Sequence, residues 1–352
     1  MKAVDLFSGC GGFSYGFQQA GFEVVVGVDN NEHALKTFEL NHNNSKGFNL
    51  DLHLDSAIDE LVNYLYKNNH TIDVIIAGPP CQGFSLTGTR NAHDKRNTLF
   101  YAIFKLAEKI NPKAIVIENV PGIITLYKGK AKNEILRLAE ESGYSCKHQL
   151  MFAPDYGVPQ IRKRVFFVAL KKELGEFSFP APLLHESEYI TCSDAISDLP
   201  SLVGDFGGDE LAYTSQPKSD YQKKMRESST KILNHVGTRH TEHVISVISQ
   251  VPEGGNHKDL PPGVGDSRKF NEAWTRYHSQ KPSKTIDTGH RNHFHYKYHR
   301  VPTMRENARL QSFPDVFQFV GTKTEQNKQV GNAVPPLLGK VIAEQLKGCI
   351  SD

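Results

Sequence analysis

Short apolar runs alternate with amphipathic stretches along the first half of the chain. Strands are predicted where short runs are continuously or alternately apolar, at 2–7, 22–28, 48–52, 72–77, 114–117 and 165–170. Helices are predicted between them where apolar residues recur every three or four positions, at 13–20, 31–41, 55–66, 99–110 and 133–142. This regular succession of strands and helices indicates a doubly wound α/β fold with a largely parallel sheet.

The pattern changes after Lys171. Prolines and glycines break the succession over 172–302, which predicts a second, smaller, loop- and strand-rich domain. Helical spacing returns around Arg305 and Arg309 and again at 337–346. We expect the last helix to pack beside the N-terminal strand. The first domain is then discontinuous and consists of 1–171 together with 303–352.

One segment of the second domain, 291–300, combines aromatic and basic side chains. Aromatic residues at 294, 296 and 298 alternate with basic ones at 293, 295, 297 and 299, which predicts a strand with two different faces. A histidine metal site is the alternative, but no cysteine or carboxylate accompanies the histidines. We therefore expect a nucleic-acid-binding strand and no metal.

Composition and charge exclude several classes of protein. The 352 residues are 38% hydrophobic with a net charge of +2, so residues that bind nucleic acid must be clustered rather than in excess. Five cysteines without a Cys-x-x-Cys pair argue against a structural zinc and indicate a reducing compartment. A strand at the start of the chain and the lack of a long apolar run predict a cytoplasmic protein without a membrane segment.

A glycine-rich turn follows the first predicted strand. In Ser8-Gly-Cys-Gly-Gly-Phe-Ser-Tyr-Gly16, three glycines allow the backbone to approach a ligand, and Asp29 at the end of the next strand is placed to bind ribose hydroxyls. Ser14 stands where the dinucleotide fingerprint has its third glycine, and no Gly-Lys-Ser/Thr follows. The turn suits an adenosine ligand without a pyrophosphate. A plain strand-turn-helix is the alternative.

A Pro-Cys loop follows the strand at 72–77. Gly78-Pro-Pro-Cys-Gln-Gly-Phe-Ser85 holds Cys81 on a rigid turn at the carboxyl end of that strand, where open α/β sheets bind ligands. An accessible, oriented cysteine is suited to nucleophilic attack. The alternative is a small apolar residue in a turn. The polar segment that follows, 86–97, is either a solvated loop or a lid over nucleic acid.

Polar residues also lie at the ends of two later strands. Glu118 follows the apolar run at 114–117 and shares the predicted sheet edge with Cys81, and a buried glutamate is rarely structural unless it is paired. Arg162 and Arg164 enter the strand at 165–170 two positions apart and are expected on one side of it. They indicate phosphate or base contacts, with a solvated edge as the alternative.

These segments resemble, in order, the motifs of the cytosine-C5-specific DNA methyltransferases. The matching segments are Asp5-Leu-Phe-Ser-Gly-Cys-Gly-Gly12, Gly78-Pro-Pro-Cys-Gln-Gly-Phe-Ser85, Glu118-Asn-Val120, Gln160-Ile-Arg-Lys-Arg164, Arg305-Glu-x-x-Arg-Leu-Gln-Ser-Phe-Pro314 and Gln329-Val-Gly-Asn-Ala-Val334. The resemblance covers the chain except about 172–280, which varies with target sequence in this family. It implies a Rossmann-like S-adenosylmethionine-dependent domain and a target recognition domain at 172–302.

The resemblance implies a covalent mechanism on cytosine flipped out of the duplex. Cys81 would add to C6 so that C5 attacks the methyl group of S-adenosyl-L-methionine, leaving S-adenosyl-L-homocysteine. Glu118, held neutral by burial, would donate to N3, and Asn119 would position the Cys81 loop. Arg164 and Arg162 would contact the flipped cytosine and its phosphate. The sequence does not identify the base that removes the C5 proton.

The resemblance also implies a cofactor pocket. Phe7 would stack on the adenine, the glycines would approach the methionine part, and Asp29 would bind the ribose. The complete set is Phe7, Ser8, Gly9, Gly11, Gly12, Asp29, Asn30, Asp51, Leu52, Pro80, Asn332 and Ala333. Two positions depart from the family pattern: Asn30 stands where an aromatic residue often lies, and Ala333 where a serine is common.

Contacts to duplex DNA are expected from both domains. The candidates are Gln82, Ser85, Arg90, Arg268, Arg276, Thr285, Arg291 and Asn292. Among them, Thr285 with Ile286 resembles the Thr-Leu pair of the family's recognition domain. The resemblance favours a monomeric bacterial type II modification methylase, with a cognate restriction endonuclease as its genetic partner.

Three alternatives remain open at this stage. A tRNA cytosine-C5 methyltransferase shares the Pro-Pro-Cys and Glu-Asn-Val motifs, but the long variable domain favours duplex DNA. A catalytically silent DNA-binding module would not need Cys81, Glu118 and Arg164 together. A dehydrogenase is disfavoured by Ser14.

Overall fold

The computed structural model describes residues 1–80, 98–264, 273–289 and 292–351. The chain divides into two compact units, the first made of Met1–Phe152, Lys163–Ala181 and Pro336–Asp352, the second of Ala153–Arg162 and Pro182–Pro335. These boundaries differ from the predicted ones, because 153–162 and 303–335 cluster with the second unit. That the two units are a catalytic and a recognition domain remains a prediction.

The first unit is built on a mixed sheet. Its strands are β1 (Lys2–Leu6), β2 (Glu23–Asp29), β3 (Lys46–Asn49), β4 (Val74–Ala77), β5 (Ala114–Asn119), β6 (Tyr144–Phe152) and β7 (Lys163–Lys171). In the described residues the sheet has seven strands in the order β3-β2-β1-β4-β5-β7-β6. Strands β1 to β5 are parallel, whereas β7 is antiparallel to β5 and β6. The amino end of β7 therefore lies beside the carboxyl ends of β5 and its parallel neighbours.

Helices surround this sheet. They are α1 (Gly12–Gln19), α2 (Glu32–Asn41), α3 (Asp55–Lys67), α4 (Thr98–Ile110), α5 (Lys130–Glu141) and, from the end of the chain, α11 (Pro336–Ile350). Helices α3, α4 and α5 bury their apolar faces in one core with β1, β4, β5 and β7. Helix α11 packs against α1 so closely that a side chain at Gly16 would collide with the carbonyl of Pro336.

The second unit has more helix than its sequence predicts. Its elements are α6 (Cys192–Ile196), β8 (Gly207–Leu211), α7 (Asp220–Arg226), β9 (Ile232–Val236), α8 (Glu242–Gln250), β10 (Thr275–Arg276), β11 (His293–Phe294), α9 (Met304–Leu310) and α10 (Lys323–Asn332). Strands β8 and β9 pair antiparallel, and β10 pairs with β11 in parallel. Nowhere in the described part of the chain is a helix long and apolar enough to cross a membrane.

The predicted long strand over 291–300 is wrong. Strand β11 covers only His293–Phe294, and the chain then turns, because the His295 ring nitrogen Nδ1 accepts from the backbone N–H groups of Lys297 and Tyr298 at 3.0 and 3.2 Å. His295 is buried, and burial lowers its pKa to about 4. The basic face expected for binding nucleic acid is therefore not formed.

Helix α9 supplies an ionic core to the second unit, which we define as Arg305, Glu306 and Arg309 with Asp198 and Asp315. All five side chains are buried. The Arg309 guanidinium donates to Asp315 at 2.8 and 2.6 Å and to Asp198 at 2.5 Å. These bonds explain why the residues around α9 cluster with the second unit rather than with the sheet.

Candidate active site at the edge of the sheet

An arginine–glutamate pair lies where β5 ends and β7 begins. Glu118 is near the carboxyl end of β5 and faces the first residues of antiparallel β7. Arg164 Nε lies 2.7 Å from Glu118 Oε1, and the two side chains are 15% and 12% exposed. That burial holds Glu118 neutral remains a prediction.

Asn119 fixes the end of the neighbouring strand β4. Its Nδ2 donates to Pro79 O at 2.9 Å, and its Oδ1 accepts from Val120 N at 2.9 Å. The Gly78 Cα lies so near the pair that an added Cβ would be 3.7 Å from Glu118 Oε2. The chain therefore leaves β4 beside Glu118, with its path held by Asn119, two residues before Cys81.

Asp29 orders the glycine-rich turn at the same edge. Its two carboxylate oxygens accept from Gly9 N and Asn31 N, each at 2.8 Å, and burial raises its pKa. Gly9 has a left-handed φ of 53° with open space where a side chain would stand, whereas a Cβ on Gly11 would collide with His42. Gly9 therefore leaves room for a ligand, while packing against His42 and a left-handed φ of 93° both account for Gly11.

A buried acid was missed by the sequence interpretation. Asp5 in β1 is 1% exposed and accepts a hydrogen bond from Ser14 Oγ in α1. Burial raises the Asp5 pKa to about 8. This bond joins the strand to the helix across the turn and explains why Ser14 replaces the glycine of the dinucleotide pattern. The sequence does contain a signal for this buried acid, because Asp5 is a carboxylate within the apolar run at 2–7.

Comparison with known proteins assigns these features to one family. The family model for the C-5 cytosine-specific DNA methylases matches residues 1–348. The chain belongs to this family.

Relatives of the methylase agree with this assignment. The type II methyltransferase M1.HphI of Haemophilus parahaemolyticus is 40% identical over 97% of this chain and 85% of its own length. M.DdeI of Desulfomicrobium norvegicum is 36% identical over 98% of this chain and 88% of its own. A crystal structure from E. coli, described as a DNA modification methyltransferase encoded within a prophage, covers 100% of both chains at a TM-score of 0.82 and 29% identity. The methylase is a DNA (cytosine-5-)-methyltransferase with an α/β methyltransferase fold.

Other predicted cofactor residues of the methylase have varied surroundings. Asp51 is exposed and accepts from His53 N at 3.0 Å, whereas the Leu52 side chain packs in the core. Asn30 and Pro80 are exposed at the sheet edge. Several further candidates have clear positions as well: Phe7 is half-buried, with a left-handed φ of 63°, directly after β1; Ser8 is buried; Gly12 begins α1; and Asn332 and Ala333 belong to the second unit, at the end of α10.

Two arginines expected to contact DNA lie inside the second unit. Arg162 is 1% exposed, and its Nη2 donates to Gly331 O and Ala333 O, both at 3.0 Å. Arg276 is 4% exposed and donates to the carbonyls of Ile248 and His295. Both guanidiniums donate to backbone carbonyls. That these two residues contact DNA remains a prediction.

The remaining DNA candidates divide into two groups. Thr285 is exposed, and its Oγ1 donates to Ile161 O at 2.6 Å, while Asn292 is half-buried and donates to Asp287 at 3.2 Å. The predicted residues that lie outside the described ranges are Cys81, Gln82, Ser85, Arg90, Arg268 and Arg291.

Proposed function

We propose that this methylase is the modification component of a type II restriction-modification system. It transfers a methyl group from S-adenosylmethionine to C5 of a cytosine flipped out of a short duplex DNA sequence. The observation that carries the proposal is the Glu118–Arg164 pair. It lies beside the carboxyl end of β4, where Asn119 bonds to the backbone of Pro79. The relatives named as type II methyltransferases support the restriction-modification context.

Cys81 is the proposed nucleophile. Its thiolate forms a bond to C6 of cytosine, and the ring electrons become available at C5, which then takes the methyl group. A base removes the C5 proton, the S–C6 bond breaks, and the thiolate is regenerated. Asn119 aids this chemistry by fixing Pro79, so that the loop starts from a defined position.

Glu118 and Arg164 are proposed to stabilise the cytosine during addition. Attack at C6 places negative charge at N3, where a proton or hydrogen bond from Glu118 lowers the barrier. Arg164 Nε lies 2.7 Å from Glu118 Oε1, so the carboxyl group is held in one orientation before cytosine binds. Arg164 then remains bonded to the carboxyl group and orients it.

The turn around Gly9 is proposed to bind S-adenosylmethionine, which supplies an electrophilic methyl group. The fit rests on two observations: Gly9 has open space beside its Cα, and the largely buried Asp29 carboxylate stands at the end of β2. Asp29 has further lone pairs for ribose hydroxyls beyond the two backbone donors it accepts. Phe7 is proposed to contact the adenine.

A labelled-methyl assay tests this function. The methylase is incubated with labelled S-adenosylmethionine and either mixed-sequence duplex DNA or tRNA, and the DNA product is sequenced after bisulfite treatment. We expect label on DNA at cytosine C5 within one short repeated sequence. Label on tRNA alone, or bound cofactor without any transfer, would refute the proposal.

The nucleophile is tested separately with Cys81→Ser. The variant should still bind S-adenosylhomocysteine and duplex DNA but should transfer no methyl group, because a serine hydroxyl is far less ionised than a cysteine thiol. Turnover retained in this variant would exclude Cys81 as the nucleophile.

A further inference from the structure

A cavity of about 250 Å³ lies in the second unit. Its walls come from β9, from the segments around Tyr277 and Ile286, and from the first turns of α9 and α10. All of the residues that line it belong to the second unit. Because a cavity of about 150 Å³ can hold benzene, this one has room for a ligand of one or two small rings.

The side chain of Asn307 lines this cavity without a donor for its amide oxygen. Asn307 belongs to α9 and is only 9% exposed, and its Oδ1 is buried with no hydrogen-bond partner among the residues that the structure describes. Such an oxygen is destabilising, because folding removes its bond to water and provides no other. A ligand that donates to Oδ1 would therefore satisfy a group that the fold leaves unpaired.

Other polar side chains of the wall are bonded within the fold. Asn234 Nδ2 donates to Phe319 O and its Oδ1 accepts from Phe319 N, each at 2.9 Å. The Lys323 ammonium donates to Gly237 O at 2.6 Å. Asn307 differs from both residues, because no described residue donates to its oxygen.

The remaining wall favours a flat ligand with an amino group over an anion. Tyr277 and His293 add a pair of stacked, buried rings whose centroids are 5.2 Å apart. Asp209 and Asp287 add carboxylates, which repel anions and accept from amino groups. The Asn307 amide offers an acceptor beside a donor, which is the arrangement that pairs with the N6 and N7 atoms of adenine.

We propose that this cavity binds an amino-bearing nitrogen heterocycle of the nucleobase type, with adenine as the best match. Asn307 accepts from the exocyclic amino group and donates to the adjacent ring nitrogen, while Ile286, Val301 and Met304 supply apolar contacts. The base is either a free molecule or an unpaired base of a DNA strand, and the chemistry of recognition is the same for both. The site takes no residue from the turn around Gly9, which belongs to the first unit.

Equilibrium dialysis of the full chain against labelled adenine tests the site. Excess S-adenosylhomocysteine is present, so that the cofactor site is filled. We expect adenine to bind with a Kd below about 1 mM, and purine, which lacks the amino group, to bind about tenfold more weakly. Adenine that fails to bind at concentrations up to about 10 mM would overturn the proposal. So would adenine that S-adenosylhomocysteine displaces completely, because it would then occupy the cofactor site.

Asn307→Leu locates the bound adenine. Leucine has the same branched shape but no polar atom, so adenine should bind at least about tenfold more weakly, while the free energy of unfolding should not fall. Adenine bound equally well by this variant would refute the assignment to the cavity. Asn307→Ala removes the amide without adding bulk and gives the same test if the leucine variant does not fold.

Gln250→Leu is the matched control. Gln250 is an amide of α8 in the same unit, but it is exposed, donates to Ser246 O at 3.0 Å and is not among the described residues that line the cavity. Its adenine affinity should equal that of the wild type. An equal loss in this variant would show that the effect at Asn307 is not local, which would overturn the proposal.

Competition separates the two sources of the base. A DNA duplex with one unpaired adenine and the same duplex fully paired are each added to the adenine-loaded protein. Displacement by the first duplex alone supports an unpaired base of DNA as the ligand. Displacement by neither duplex, or by both equally, supports a free molecule, because the unpaired base is then not the competitor.

Discussion

Each compact unit of the methylase pairs arginine with carboxylate inside a family motif, but the two arrangements differ in burial. In the first unit, Glu118 and Arg164 meet at a sheet edge with 12% and 15% of their side chains exposed. In the second, Arg309 bonds to Asp198 and Asp315 with no exposure at all. One pair remains within reach of a ligand, whereas the other is enclosed by the fold.

The difference shows which motif residues hold the fold and which are available for chemistry. A fully buried charge that loses its partner cannot be rescued by water, so the cost falls on stability. In a pair at a sheet edge, either residue can bond to substrate or solvent instead of its partner, so removing one residue mainly lowers activity. Presence in a family motif does not by itself separate these roles.

The largest expected effect follows from Arg309→Met. It removes the guanidinium that bonds to two buried carboxylates, of which Asp198 keeps Arg226 and Asp315 keeps Tyr213, and should lower the free energy of unfolding by about 3 kcal/mol. The fluorescence of Trp274, the chain's only tryptophan, reports on the second unit during denaturation. The exposed Lys231 of the second unit, which pairs with Glu210, provides the control, and Lys231→Met should cost at most about 1 kcal/mol. Equal losses of unfolding free energy in the two variants would show that burial does not determine how much such a pair contributes to stability.

Glu118→Gln should affect methyl transfer far more than stability, the opposite of what we expect for Arg309→Met. Methyl transfer should fall by about 10²–10⁴-fold, since the amide cannot deliver a proton to N3, while the loss of unfolding free energy should stay below that of Arg309→Met. Single-turnover methylation and denaturation of the same preparation measure both quantities. A large loss of stability with methyl transfer preserved would place this pair with the ionic core.

Asp5 provides an intermediate case, a buried carboxyl bonded to a hydroxyl. Its folded pKa is raised to about 8, so between about pH 4 and 8 the folded chain holds a proton that the unfolded chain has released. The resulting stabilisation is complete at low pH and is lost as the pH rises through 8. Relative to Asp5→Asn, which cannot titrate, the wild type should lose about 1 kcal/mol per pH unit over this range. A difference independent of pH would mean that the carboxyl is ionised throughout.

Much of the sheet edge was predictable, because apolar runs mark parallel strands and their carboxyl ends lie together. That principle alone assigns Asp29 and Glu118 to one edge, and the parallel pairing of their strands through β1 and β4 confirms it. Strand β6 was missed because it lies at the edge of the sheet and carries polar residues that hide its periodicity. The role of Ser14 could not be predicted locally, because its hydrogen-bond partner, the buried Asp5, lies in another element.

The second unit was harder to predict, because its order comes from long-range polar contacts. The Arg162 side chain donates to carbonyl groups 169 and 171 positions away in the chain, and no local sequence pattern reveals such partners. Local signals did exist for its short helices. Thr191 with Asp194 and Thr303 with Glu306 form capping boxes at the starts of α6 and α9, and only α9 was recognised.

The close packing of α1 against α11 has a consequence for how the protein is made. Lys347 of α11 bonds to the carbonyl of Ala20, 327 positions earlier in the chain. At about 5–20 residues per second, a ribosome needs on the order of 15–65 s to cover that distance. The whole second unit is synthesised in this interval, during which the side of α1 that packs against α11 remains uncovered. We expect the nascent second unit to fold first, and the packing of the first unit to be completed only when α11 has left the ribosome.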